Sequence, residues 1–143
     1  MNNDWRSELG KIMGGKSKAT RAEEETARFV KFSNDVVMPA FKELEAELKQ
    51  HDRKVLVRET TAATSITVMN GEKEEITFRL LARSLSAGLV PYIEGRVRSK
   101  GQVSNKFDEQ LKVDGKVCTI EQVKANDVIE SFLGQYGKTM EMG

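Results

Sequence analysis

The chain has 143 residues, with 23 Lys and Arg against 22 Asp and Glu, and single His, Cys and Trp residues. At this size one domain with a proper core is expected, because a chain near 150 residues buries roughly two-thirds of its unfolded surface. A single Cys excludes an intrachain disulfide, and with one His it falls short of the ligand set of a zinc site, so no metal or cofactor is indicated.

Leu, Ile, Val and Phe make up about 24% of the chain, above the roughly 20% below which chains tend to stay disordered. The apolar runs are too short to span a membrane. The opening MNNDWRSELG lacks the basic-then-apolar plan of a signal peptide, so a cytoplasmic setting is expected.

Residues 1–19 read as a flexible or docking tail, rich in Gly and Lys. Within it Trp5, Leu9, Ile12 and Met13 fall at i, i+4, i+7 and i+8, one stripe of a short amphipathic helix that needs a surface to fold against. Thr20 with Glu23 reads as a capping box opening a long helix to His51. Phe29, Phe32, Val36, Val37, Phe41, Leu44 and Leu48 recur at steps of three and four along it. Pro39 cannot donate to the carbonyl of Asp35, so a kink is expected there.

Strand-like alternation follows. Val55–Val57 opens the first strand, Thr60 to Thr64 turns, and Ile66–Met69 is the second. Asn70-Gly71 is a hairpin signal leading to Ile76–Arg83. Val90–Arg98 is the fourth strand and Phe107–Val113 the fifth, with Asp114-Gly115 turning into a short sixth piece, Lys116–Thr119. Thr119 and Gln122 suit a single helical turn. Asn126 then caps a last helix with Val128, Ile129, Phe132, Leu133 and Tyr136 inward, ended by Gly137. The expected fold is α+β: a long N-terminal helix, an antiparallel meander of about five strands and a C-terminal helix, as one domain over 20–138 with a tail at 139–143.

Gly10 to Ser17, GKIMGGKS, satisfies the phosphate-loop pattern, which would set Lys16 on phosphates and Ser17 on Mg²⁺. That chemistry needs a buried parallel strand delivering the loop, and the polar MNNDWRSEL does not supply one, so the match reads as chance. His51 suits the C-terminal end of the long helix, and Cys118 a small buried position. Neither has a companion in sequence context for nucleophilic catalysis. No catalytic residues are assigned.

The near-neutral total hides an uneven distribution. Residues 52–116 carry 12 basic and 9 acidic groups, while the helices on either side are acidic. In the meander, alternation puts Ile76, Phe78, Leu80 and Ala82 opposite Arg79 and Arg83, and Ile93 and Val97 opposite Tyr92, Arg96 and Arg98. With Lys112 these residues would make a basic sheet face bearing one aromatic, suited to single-stranded nucleic acid or another polyanion.

A second feature points to protein partners. A helix of about 30 residues is about 45 Å long, and five strands span roughly 24 Å. The overhanging Phe29 and Phe32 would then need cover from the Trp5–Met13 stripe, from a second copy, or from another protein. The expected function is non-enzymatic protein binding, self-association included, with nucleic-acid or polyanion binding through the arginine face as the alternative. No small-molecule ligand is indicated.

Overall fold

The computed structural model describes residues 15–98 and 104–138, with side chains from residue 21 onward. Two stretches of helix, α1 (Gly15–Phe32) and α2 (Met38–Lys49), are joined by a π-helical turn, Ser33–Val37. The strands follow: β1 (Lys54–Glu59), β2 (Thr64–Asn70), β3 (Lys73–Leu85), β4 (Gly88–Arg98) and β5 (Ser104–Gln110). A small ribbon, β6 (Lys112–Val113) with β7 (Lys116–Val117), leads to a 3₁₀ turn at Ile120–Gln122 and to α3 (Ala125–Tyr136). The five-stranded sheet runs β1-β2-β3-β4-β5, antiparallel throughout. The α+β plan read from periodicity is the observed one.

The helix starts earlier than the Thr20 cap suggests, at Gly15, so Thr20 lies inside it. Pro39 is accommodated one turn before the ring. Met38 donates its N–H to the Ser33 carbonyl, five residues back, which widens the helix where a proline at 39 denies Asp35 its normal partner. The wide turn also aims Ser33 inward. Its hydroxyl meets Thr64 Oγ1 and donates to Glu59 Oε2 at 2.8 Å. Ser33 and Thr64 are both fully buried, so this pairing satisfies two hydroxyls that would otherwise be costly.

The sheet carries its apolar residues on one face, and both helical segments and α3 cover that face. Phe78 is the hub: its ring lies 6.1 Å from Phe41 of α2 and 5.6 Å from Phe132 of α3, both near edge-on. Phe107 completes the group at 5.9 Å. Phe107 fits because its β4 neighbour is Gly95; a Cβ there would come within 1.8 Å of the Thr77 carbonyl oxygen and 3.0 Å of the Phe107 ring. Phe29 and Phe32 belong to the same cluster, at 4% and 6% exposure. Arg28 bound to Glu121 at 2.7 Å, and Ser84 donating to Glu25, tie α1 to the 3₁₀ turn and to the end of β3.

A β-bulge decides the chemistry at the other end of β3. Val68 pairs with Ile76, but Met69 pairs with Glu74, so Glu75 is an extra residue. Counting back from the inward Ile76, regular alternation would turn Glu75 out and Glu74 in. The bulge reverses this. Glu75 points inward, accepting from Arg53 Nε at 2.8 Å and from the Tyr136 hydroxyl at 2.6 Å. Glu74 points outward to Arg96 at 2.7 Å. Burial first, and then the Glu75 carboxylate, raise the Tyr136 phenol to about 12.

Smaller shifts from the sequence reading have local causes. The hairpin loop is Gly71-Glu72, with Asn70 still paired to Lys73. Asp114 and Gly115 both adopt positive φ, 52° and 76°, as a mirror-image turn requires. β5 ends at Gln110, before Val113: Leu111 donates its N–H to the Pro91 carbonyl at 3.0 Å, but Pro91 has no N–H to return, and the buried Leu111 ends the ladder. α3 is capped by Lys124 and Asp127 in place of Asn126, and Leu133 faces solvent at 52% exposure.

Candidate functional site: the uncovered face of the sheet

Among the described residues, no helix packs on the outer face of the sheet. Strand register arranges that face in rows. One runs Leu56, Thr67, Thr77, Arg96, Lys106, and the next Arg58, Ser65, Arg79, Glu94, Asp108. Tyr92 and Arg83 lie further along β4 and β3. The structure therefore brings together Arg79, Arg83, Tyr92, Arg96 and Arg98, as alternation predicts. It does not bring Lys112, which stands on the β6-β7 ribbon because the chain leaves the sheet at Leu111.

The arginines are mostly engaged. Arg79 binds Glu94 at 2.8 Å, Arg83 reaches Asp108 at 3.4 Å and Glu94 at 4.0 Å, and Arg96 binds Glu74. Hydrogen bonds from Arg96 hold the Glu74 carboxyl below its ordinary value, against the opposing pull of partial burial, and Glu74 raises Arg96 in return. The Arg83 guanidinium lies 4.2 Å from the centre of the Tyr92 ring, and Gln110 donates to the Tyr92 hydroxyl at 2.9 Å. The one aromatic of this face is thus already stacked.

Three cations escaped the sequence reading: Lys54, Arg58 and Lys106, all set outward by the same alternation that places Val55, Val57 and Phe107 inward. None of the three forms an ion pair with a carboxylate among the described residues. With Arg79, Arg83, Arg96 and Arg98 they face only Glu74, Glu94 and Asp108. Arg58 and Glu94 are three strands apart, about 14 Å at 4.8 Å per strand and beyond the Debye length of about 8 Å at physiological salt. The unpaired cations thus stand at both ends of the face, Arg98 and Lys106 toward β5 and Lys54 and Arg58 on β1. Beside β1 lies a shallow groove of about 400 Å³, lined by Leu56, Arg58, Ser65, Thr67, Thr77 and Arg79.

The remaining candidates are dispersed. Trp5, Leu9, Ile12 and Met13 lie outside the described residues. Phe29 and Phe32 are covered within the chain, which removes the overhang as a reason for a partner there. Gly15, Lys16 and Ser17 open α1, residues 10–14 of the phosphate-loop match lie outside the described residues, and every strand pair described is antiparallel.

His51 is exposed near the end of α2, 3.8 Å from Glu47. Cys118 is buried, its thiol raised chiefly by desolvation and donating weakly to the Leu111 carbonyl. A thiol held protonated is a poor nucleophile. A cleft of about 830 Å³ between α3 and the β5–β7 region has an ionic lining in which Gln135 bridges Glu109 and Lys138. Among the described residues no group of His, Cys, Asp and Glu is placed to hold a metal, and no helix is long and apolar enough to cross a membrane.

No protein-family model, no curated protein sequence and no solved structure matches this chain.

Proposed function

We propose that this protein acts by binding and without catalysis, and that its partner is an acidic protein surface received by the outer face of the sheet. The carrying observation is the charge imbalance of that face: among the described residues seven cations are opposed by three carboxylates, and Lys54, Arg58, Arg98 and Lys106 form no ion pair. The fold supports the reading, since among the described residues the helices keep to one face and none covers the other.

Single-stranded nucleic acid is the second reading, favoured by the cations alone. Binding of that kind draws on rings for base stacking, each contributing about 1–3 kcal/mol. Among the described residues the outer face offers only Tyr92, already occupied by Arg83.

The test is capture from the source cell by the wild-type chain and by an Arg58→Glu, Arg98→Glu, Lys106→Glu variant, with and without nuclease. A protein retained by the wild type, lost with the variant and with added salt, and indifferent to nuclease is the expected result. Loss on nuclease treatment transfers the face to nucleic acid. Equal retention by both proteins refutes the role of the face.

A further inference from the structure

We propose that β1 is a docking edge, to which an extended acidic segment of a partner protein adds as a sixth strand. This deepens the binding role assigned to the outer face and rests on it. β1 stands at the end of the strand order, so its outer edge pairs with no strand among the described residues. Alternate residues of such a strand direct N–H and C=O groups away from the sheet, ready for another chain.

Edges of this kind are usually blunted by exposed charges, a proline, a bulge or an inward-pointing charge. Over Lys54–Val57, β1 has no proline, bulge or inward charge, and its outward Lys54, like Arg58 beyond, repels like-charged strands while admitting an acidic one. Its sequence, KVLVRE, has no proline and its six pairs with β2 run without a shift. The inward charge comes only at the end, where Glu59 accepts from Ser33.

The side chains specify what would be added. Residues of an incoming strand that share the outer face stand opposite Lys54, Leu56 and Arg58. Two unpaired cations flank an apolar side chain that is 55% exposed, and the adjoining groove is floored by the hydroxyls of Ser65 and Thr67. The complement is acid, apolar, acid at alternate positions.

A second copy of this chain does not provide it. In antiparallel self-pairing outward residues must face outward residues. With Leu56 opposite its own copy, Lys54 meets Arg58; shifted by one pair, Leu56 meets Arg58. Neither register sets a carboxylate against a cation. The β5 edge of a second copy offers Asp108 outward, which Arg83 already holds.

The experiment uses the full chain and two labelled synthetic peptides, one with the repeat Glu-Thr-Val-Thr, which sets Glu and Val in turn along one face, the other with Pro in place of each Thr. Proline keeps the charge pattern but cannot donate to a strand ladder. Anisotropy measures affinity, and amide hydrogen exchange reads β1. The Glu/Val peptide should bind and slow exchange within Lys54–Glu59, while the Pro peptide should bind at least about tenfold more weakly. A Lys54→Glu, Arg58→Glu variant should lose at least about tenfold, from like-charge repulsion. Both side chains are exposed, so circular dichroism should be unchanged. Lys42→Glu, exposed on α2 and away from the outer face, should stay within about twofold.

Equal affinity for the two peptides, or outer-edge β1 amides already protected in the free protein, overturns strand addition and leaves the charged face standing. Binding of neither peptide overturns both. Binding of a single-stranded oligonucleotide in preference to the peptides overturns the choice of a protein partner.

Discussion

Glu74 and Glu75 are neighbours in sequence with opposite surroundings, and substituting each in turn tests the bulge that separates them. Glu75→Ala removes the acceptor shared by Arg53 Nε and the Tyr136 hydroxyl. A hydrogen bond to a charged group contributes about 1.5–3 kcal/mol, and breaking a fully buried ion pair costs about 3–5 kcal/mol. Arg53 and Glu75 side chains are 19% and 16% exposed, and Arg53 keeps a second bond to the His51 carbonyl at 2.9 Å. Both facts put the loss at the lower end, about 3 kcal/mol. At roughly 2–4 °C per kcal/mol for a chain of this size, the thermal midpoint should fall by about 6–12 °C.

Glu74→Ala, by contrast, removes a pair whose arginine is 57% exposed, and should lower the midpoint less than half as much. Glu75→Gln, which keeps an acceptor for the phenol, should fall between. Calorimetric melting of the three variants beside the wild type is the assay. If Glu74→Ala is the more damaging, the faces have been assigned the wrong way round. A loss below about 1 kcal/mol for Glu75→Ala would mean that the inward triad adds nothing to stability.

Gly95→Ala should be among the most damaging single changes, about 4 kcal/mol or more, because a Cβ would collide with the Thr77 carbonyl; soluble, wild-type-like material in a denaturant titration would refute it. Ser33→Ala strands the Thr64 hydroxyl in the core and should cost about 1–3 kcal/mol in the same assay, and a neutral result would show that Thr64 finds another partner. Tyr136 titrates at about 12 in the fold against an ordinary 10, so the stability from its protonated phenol is complete below pH 10 and lost as the pH rises toward 12. A Tyr136→Phe variant should lack that alkaline step, read as tyrosinate absorbance, and persistence of the step would assign it elsewhere. Leu133→Lys should change stability by no more than about 0.5 kcal/mol, the side chain being 52% exposed; a larger loss would indicate a covered α3 surface.

Periodicity made most of the fold legible. Steps of three and four at Phe29 to Leu48, and alternation from Ile76 to Val97, dictate which residues face inward, and the packing around Phe78 follows from them. What eluded the sequence lay in places where one residue alters the count. The π-turn adds a residue to a helical turn and the bulge adds one to β3, and in each case the side chain so turned, Ser33 or Glu75, anchors a buried hydrogen-bond group. Neither shift has a local signature beyond Pro39, since tertiary partners such as Thr64, Arg53 and Tyr136 arrive from distant sequence.

The candidate face was half legible. Alternation located the arginines, but their neutralisation by Glu74, Glu94 and Asp108 depends on cross-strand register. Lys54 and Arg58 were within reach of the same rule, applied to the short Val55–Val57 run.

The order of the sheet has a kinetic consequence. Every strand pairs with its neighbours in sequence, so the sheet can assemble through a succession of local hairpins, each closing a small loop at modest entropic cost. The exception is the Phe78 hub, where Phe41 and Phe132 arrive from opposite ends of the chain. Bringing those rings together closes a loop that spans most of the chain. Core truncations at Phe41 or Phe132 are expected to speed unfolding while leaving the early hairpin steps nearly unchanged.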